Sequence, residues 1–233
     1  MAGSSDIVYL HPRYEYLDQS LKDILFDPEK LQSAGLITRE LKGRGTTYFY
    51  KLLEQPVVLR HYWRGGFMRH LSKDSYLWTG LTQTRSYREW KLLKKMEALD
   101  LPTPRAVAMR IQRGILCYRS DIVTEEIEGV ISLAHLLKQR AATNEEWQRV
   151  GQTIRRFHQM QVFHADLNAN NILLSDNACY WIDFDRGSVR SGSDWQESVL
   201  ARLRRSLDKL RRLHDPFHFN EDGWAQLLEA YQQ

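Results

Sequence analysis

Cysteine is scarce in this chain: Cys117 and Cys179 are the two among 233 residues. They stand far apart, in neither a metal-ligand spacing nor a disulfide framework. That excludes a cysteine-held zinc site and a stapled secreted fold, and it fits a reducing cytosol. Long apolar runs are missing too: no stretch approaches the ~20 apolar residues that a membrane-spanning helix requires. The opening residues, Met1 to Asp6, have neither a basic nor an apolar region, so no secretory signal is expected. Internal repeats and low-complexity linkers are also absent.

What is present suits one or two compact domains. Hydrophobic residues make up 42% of the chain and aromatics 11%, enough for a core and too much for a disordered protein. The net charge of +4 is modest but unevenly spread. Residues 201–214 hold Arg202, Arg204, Arg205, Lys209, Arg211 and Arg212 against one acid, Asp208. A segment of one sign seeks phosphates, whether on nucleic acid, on an anionic substrate or on an acidic membrane surface.

Residues 1–36 read as a polar, irregular extension with a short helix after Pro28. The runs 46–52 and 57–62 are rich in β-formers, and a turn at Glu54-Gln55-Pro56 between them predicts a hairpin. Apolar periodicity predicts a helix over 83–98, ended by Pro102 and Pro104. Strands are expected over 105–111 and 115–124, and 125–129 reads as a connector. Trp147, Val150, Gly151, Ile154, Phe157 and His158 recur at helical spacing over 144–161, with Thr143 or Asn144 as cap. Helices over about 194–213 and 221–231 close the chain. The division expected is 1–36 as extension, 37–128 as a small lobe of antiparallel strands and one helix, and 129–233 as a mainly helical lobe: an α+β class.

The most informative residues run from His164 to Asn171, H-A-D-L-N-A-N-N, and are followed by Asp183-Phe184-Asp185. They read as H-x-D-x-x-x-x-N and D-F-x, the base and metal segments of the protein-kinase fold. Phosphoryl transfer to an alcohol needs one carboxylate to take the hydroxyl proton, and a carboxylate and an amide to hold Mg²⁺ on the ATP phosphates. Asp166 has the place of the proton acceptor. Asn171 and Asp183 have the places of the metal ligands, with the hard oxygens that Mg²⁺ prefers. His164 reads as a brace for the loop. Asn168 is a candidate for contact with the acceptor, with a turn role as the alternative.

On the nucleotide side, Gly43-Arg44-Gly45 opens the hairpin, and its backbone N–H groups are candidates to lie over phosphates. The third glycine of G-x-G-x-x-G is replaced by Tyr48. The lysine of V-A-I-K is replaced by Arg60 in Val57-Val58-Leu59-Arg60. Val58 and Arg60 share a strand face, so Val58 can roof the adenine while Arg60 reaches the phosphates, with Glu89 as its partner. Glu126 in the connector is a further nucleotide-side candidate. Residues 64–71 mix basic and apolar side chains, and Arg64 and Arg69 there are candidates to grip an anionic, partly lipidic acceptor. In 201–213 the leucines form one stripe and the basic residues another, a pattern suited to an anionic membrane surface.

The stretches Gly43-Arg44-Gly45, V-V-L-R-H-Y-W-R-G-G-F at 57–67, R-S-Y-R-E-W at 85–90, H-A-D-L-N-A-N-N-I-L at 164–173 and W-I-D-F-D-R-G at 181–187 resemble the bacterial 3-deoxy-D-manno-octulosonic acid (Kdo) kinases. The resemblance covers about residues 35–230. It implies a two-lobed protein-kinase-like fold and transfer of phosphate from ATP with Mg²⁺ to a Kdo hydroxyl, expected to be the 4-hydroxyl. The acceptor implied is an anionic glycolipid, the Kdo-lipid A precursor of lipopolysaccharide core synthesis. The location implied is the cytoplasmic face of the inner membrane, with the protein peripheral, and no nucleic acid is expected as partner. It implies Asp166 as catalytic aspartate, Asn171 and Asp183 as metal ligands, and Arg60 with Glu89 on the ATP side. Departures from ordinary protein kinases are the third glycine, the lysine, Asp185 in place of the D-F-G glycine, and the missing A-P-E segment. Another small-molecule or sugar kinase of the same fold, an RNA-associated or pseudokinase binding module, and a protein kinase stand as alternatives.

Overall fold

The computed structural model of the chain describes residues 5–43, 45–63 and 74–233. In chain order the elements are β1 (Ser5–Leu10), α1 (Gln19–Ile24), α2 (Pro28–Ser33), β2 (Ile37–Lys42), β3 (Thr46–Leu52), β4 (Gln55–His61), β5 (Tyr76–Leu77) and α3 (Arg85–Ala98). Then come β6 (Ala106–Arg113), β7 (Cys117–Glu125), β8 (Ile131–Ser132), α4 (Leu133–Gln139), α5 (Asn144–Gln159), β9 (Val162–Phe163) and β10 (Ile172–Leu174). The last are β11 (Cys179–Trp181), β12 (Ser188–Val189), α6 (Gln196–Leu213) and α7 (Glu221–Gln232). Two compact units result: Met1–Lys91 with Arg105–Glu126, and Leu92–Pro104 with Ile127–Gln233.

The first unit is an antiparallel sheet in the order β1-β6-β7-β4-β3-β2, with β5 against the start of β7. The predicted hairpin forms, but its turn lies at Leu53-Glu54, where Leu53 takes a left-handed φ of 56°. Pro56 sits inside β4 opposite Lys51, and its carbonyl accepts the Glu126 N–H at 2.9 Å. Proline has no N–H to offer the ladder, but its carbonyl is an ordinary acceptor.

The expectation of an irregular extension over 1–36 does not hold for the described part. β1 pairs with β6 from Ser5↔Arg113 to Leu10↔Ala108. Asp18 and Asp27 cap α1 and α2, and Leu25 and Leu31 are buried in one cluster with Tyr50, Val57, Leu59, Val107 and Val123. A short edge strand is defined by its partner more than by its own pattern, so periodicity alone did not reveal β1.

The second unit is built on α5. Thr143 and Glu146 form a capping box at its start, and Trp147, Val150, Ile154 and Phe157 are buried along one face. α7 packs on it closely because two glycines make room. A Cβ at Gly151 would fall 2.2 Å from the Leu227 carbonyl oxygen, and one at Gly223 would fall 2.3 Å from Trp147 Nε1. Phe157 stacks on Trp181 with centroids 4.2 Å apart, and Phe184 lies 5.9 Å from Phe157. Two small sheets, β11-β10-β8 and β12-β9, belong to the same unit, and β11 supplies Trp181 to the stack. α4, capped by Ser132, was not anticipated. Among the described residues no helix is long and apolar enough to cross a membrane.

Candidate active site

α5 ends at Gln159, and Gln161 turns the chain with a φ of 59° into β9. The loop 164–171 runs from β9 to β10, and nearly every polar group along it is tied down. The His164 ring is buried; Nε2 donates to the Ile182 carbonyl at 2.9 Å, and Nδ1 accepts the Asp166 N–H at 3.1 Å. Those two partners require the neutral imidazole with its proton on Nε2. Burial, the largest influence, pushes the His164 pKa down and favours the same form. His164 therefore braces the loop, as expected.

Asn168 and Asn171 both donate to the Asp166 carbonyl, at 2.9 and 3.0 Å. Asn168 Oδ1 also accepts the Asn170 N–H, so this side chain closes a turn. Leu167 and Ala169 are buried, and the Ala169 N–H donates to Ser206 Oγ at 3.3 Å. The loop is thus anchored through its backbone, while the Asp166 side chain stands 63% exposed.

β10 and β11 return the chain so that the Ile182 N–H donates to the Asn171 carbonyl at 3.0 Å. This brings Asp183 beside Asn171 along the backbone. Asp183 adopts a left-handed φ of 63°, a conformation that costs an L-residue roughly 1–2 kcal/mol, less for Asp than for most. Buried Phe184 holds it there from the next position. An amide oxygen and a carboxylate are hard donors that suit Mg²⁺, a hard cation whose remaining ligands come from water and phosphate oxygens. No cluster of three His, Cys, Asp or Glu side chains suited to a metal occurs among the described residues.

In the first unit, Val57 and Leu59 face the core while Val58 and Arg60 take the other side of β4, as period two predicts. Arg60 hydrogen-bonds Glu89 on α3, and the Tyr62 hydroxyl donates to the second oxygen of Glu89 at 2.6 Å. Glu89 is 3% exposed, so the two donors compensate a buried carboxylate. Gly45 leaves no room for a side chain: a Cβ there would lie 1.7 Å from Trp63 Nε1. The Gly43 N–H donates to the Gly45 carbonyl at 2.9 Å. Glu126 pairs with Arg39 at 2.7 Å. Arg44, Arg64 and Arg69 lie outside the described residues.

Sequence reasoning missed four partners. Tyr62 continues the Val58, Arg60 alternation and was legible by that spacing. His61 hydrogen-bonds Asp121 at 2.7 Å, its register partner across the β4–β7 ladder. Arg202 on α6 reaches Asp166, with Nη1 3.1 Å from Oδ1. Ser206 holds Ala169 from the same helix. No local pattern announces the last two, which lie far along the chain from the loop.

The chain matches the Lipopolysaccharide kinase (Kdo/WaaP) family over residues 29–231. A 3-deoxy-D-manno-octulosonic acid kinase of Haemophilus influenzae (strain 86-028NP) is 41% identical over 218 residues, covering 89% of this chain and 90% of the relative. The kinase of the same description from Photobacterium profundum is 37% identical over 208 residues, covering 89% and 88%. A solved structure described as WaaP in complex with acyl carrier protein superposes with a TM-score of 0.61, covering 97% of this chain and 88% of that one, at 18% identity. That likeness establishes the protein-kinase-like α+β fold.

Proposed function

The chain belongs to the lipopolysaccharide kinase (Kdo/WaaP) family, and from that premise we propose that it is an ATP-dependent Kdo kinase of lipopolysaccharide core synthesis. The observation that carries the reading is the loop 164–171: a backbone fixed at almost every polar group presents one exposed carboxylate, Asp166.

The reaction moves the γ-phosphoryl group of ATP to a Kdo hydroxyl, the 4-hydroxyl in our reading, and releases ADP. Asp166 orients that hydroxyl and takes its proton. Asn171 and Asp183 are the residues that would hold Mg²⁺, which would supply charge neutralisation on the phosphates. Arg60, steadied by Glu89, serves the phosphates. The Gly43–Gly45 turn, Val58 and Glu126 complete the nucleotide side. Arg64 and Arg69 are assigned to the acceptor, the Kdo-lipid A precursor, while Asn168, an acceptor candidate from its place in the sequence, uses both ends of its amide to close the turn. The exposed basic residues of α6 attract the anionic cytoplasmic face of the inner membrane, where the protein is peripheral.

Purified protein given ATP and Mg²⁺ is to be offered Kdo-lipid A precursor, free Kdo and a generic protein side by side. The reading expects ATP consumption with the Kdo-lipid above the other two. Consumption with the protein acceptor alone, or with none, overturns it. For the membrane part, sedimentation with anionic and neutral liposomes across salt separates the outcomes, because the Debye length falls from ~10 Å at 0.1 M to ~3 Å at 1 M. Salt-sensitive binding to anionic vesicles is expected, lost on reversing Arg205, Lys209 and Arg212 to glutamate. Equal binding to both lipids rejects that part.

A further inference from the structure

The fold sorts the six basic side chains of α6 into three kinds. Arg204 is closed off by Asp208 at 3.0 Å and Glu221 at 2.6 Å, and Arg211 pairs with Asp208 at 3.2 Å. Arg205, Lys209 and Arg212 are exposed. Arg202 alone is aimed at the loop, where it meets Asp166.

At 3.6 residues per turn, Arg202, Arg205, Lys209 and Arg212 fall within about 80° of the helix circumference and span about 15 Å of its length. Buried Val199, Leu203 and Leu207 occupy a neighbouring sector and fix the rotation of the helix. Ser206, one turn beyond Arg202, holds the Ala169 N–H, so two contacts four residues apart dock this edge of α6 on the loop. The row of cations therefore starts at Asp166 and runs outward.

Folding alone gives little reason for the first of these contacts. Arg202 and Asp166 are 47% and 63% exposed, and an ion pair so open to water contributes little to stability. The loop itself offers no cation for an acidic acceptor: between His164 and Asn171 there is neither lysine nor arginine, and Asn168 is turned back into its own bend. A guanidinium has five donors in a planar fork and can serve two carboxylates at once.

We propose that Arg202 is the specificity-determining cation for the acceptor. It receives the carboxylate of the sugar acid whose hydroxyl lies at Asp166, while Arg205, Lys209 and Arg212 continue as a track for negative charges farther out on the same molecule. The proposal rests on the Kdo-kinase reading. It assigns recognition of the acid group to this chain's α6.

The test compares two acceptors, Kdo-lipid A precursor and the same lipid with the Kdo carboxyl converted to its neutral amide, on wild type, Arg202→Gln and Arg202→Lys. Wild type is expected to favour the carboxylate roughly 10- to 100-fold in kcat/KM, the range of one charge-assisted hydrogen bond. Arg202→Gln is expected to bring that ratio close to one through a raised acceptor KM, with the KM for ATP unmoved. Arg202→Lys is expected to keep most of the preference. A merely structural Arg202 would scale both acceptors alike and leave the ratio intact. A wild-type ratio near one, or an Arg202→Gln ratio equal to that of wild type, overturns the proposal. A wild type that phosphorylates neither lipid overturns the Kdo-kinase reading and this proposal with it.

Discussion

Asp166 and Glu89 are carboxylates held in opposite ways. Asp166 is exposed, and it is its own backbone that is held, by the His164 ring on its N–H and the Asn168 and Asn171 amides on its carbonyl, while Arg202 meets its carboxylate at 3.1 Å. Glu89 is buried, and its position comes from side-chain donors, Arg60 and Tyr62. A group that must exchange a proton with a substrate needs open lone pairs on a rigid support. A group that only aligns a cation can be enclosed, and enclosure then makes it part of the folding energy. The comparison predicts that changes at Asp166 act on rate alone, while changes at Glu89 act on rate and stability together.

The largest effect is expected at Asp166. Asp166→Ala should lower turnover by roughly 10²–10⁴ while ATP affinity and melting temperature stay close to wild type. Rate and melting measured on one preparation check this, and a large fall in melting temperature would erase the contrast with Glu89. Glu89→Gln comes next. It removes the charge that Glu89 presents to the Arg60 guanidinium and is expected to lower stability by about 3 kcal/mol and to weaken ATP binding. A double-mutant cycle with Arg60→Gln should show coupling; strict additivity would remove the direct link.

Two smaller effects concern the base beneath the Asp166 loop. Gly151→Ala forces a Cβ against the Leu227 carbonyl and should destabilise by roughly 1–3 kcal/mol, with kcat per folded molecule unchanged. A loss of kcat at full folding would mean that α5–α7 packing tunes the loop. The smallest effect is read against pH. His158 donates through Nδ1 to the Tyr231 hydroxyl at 2.9 Å, and that hydroxyl donates to Gln196, which ties α5, α7 and α6 together. Burial pushes the His158 pKa down to about 4 and lowers that of His164, so both are neutral when folded.

Unfolded histidine binds a proton below about pH 6.5. The stability that depends on the neutral His158 ring is therefore complete above that pH and is lost as pH falls from there toward 4, and the His164 ring contributes with the same sign. Each ring accounts for at most about 1.4 kcal/mol per pH unit. Urea midpoints between pH 7 and 4.5 should show a shallower slope for His158→Gln than for wild type, by about one proton.

The loop 164–171 was legible as a candidate site because its residue pattern is local. The proposed base Asp166, its brace His164 and the amide of Asn171 sit within eight residues, and the strands that set Asp183 beside Asn171 follow at once. Arg60 and Glu89 were legible through strand alternation and helix placement. The residues that escaped were fixed by tertiary contact. β1 is defined by its ladder with β6, α4 was too short for a periodicity to show, and Arg202 reaches the loop only because Leu203 and Leu207 set the rotation of α6. Composition gave the charge of that helix correctly but not its partition, since Arg204 and Arg211 are neutralised by Asp208 and Glu221.

Everything proposed for this chain turns on the exposed carboxylate of Asp166 serving phosphate transfer to a Kdo hydroxyl. Mass spectrometry of Kdo-lipid A precursor, after incubation with ATP, Mg²⁺ and either wild type or Asp166→Ala, reads it directly. One added phosphate on the Kdo unit is expected with wild type, and almost none with the variant at equal folding. An unmodified lipid with wild type, or equal phosphorylation by the variant, contradicts it.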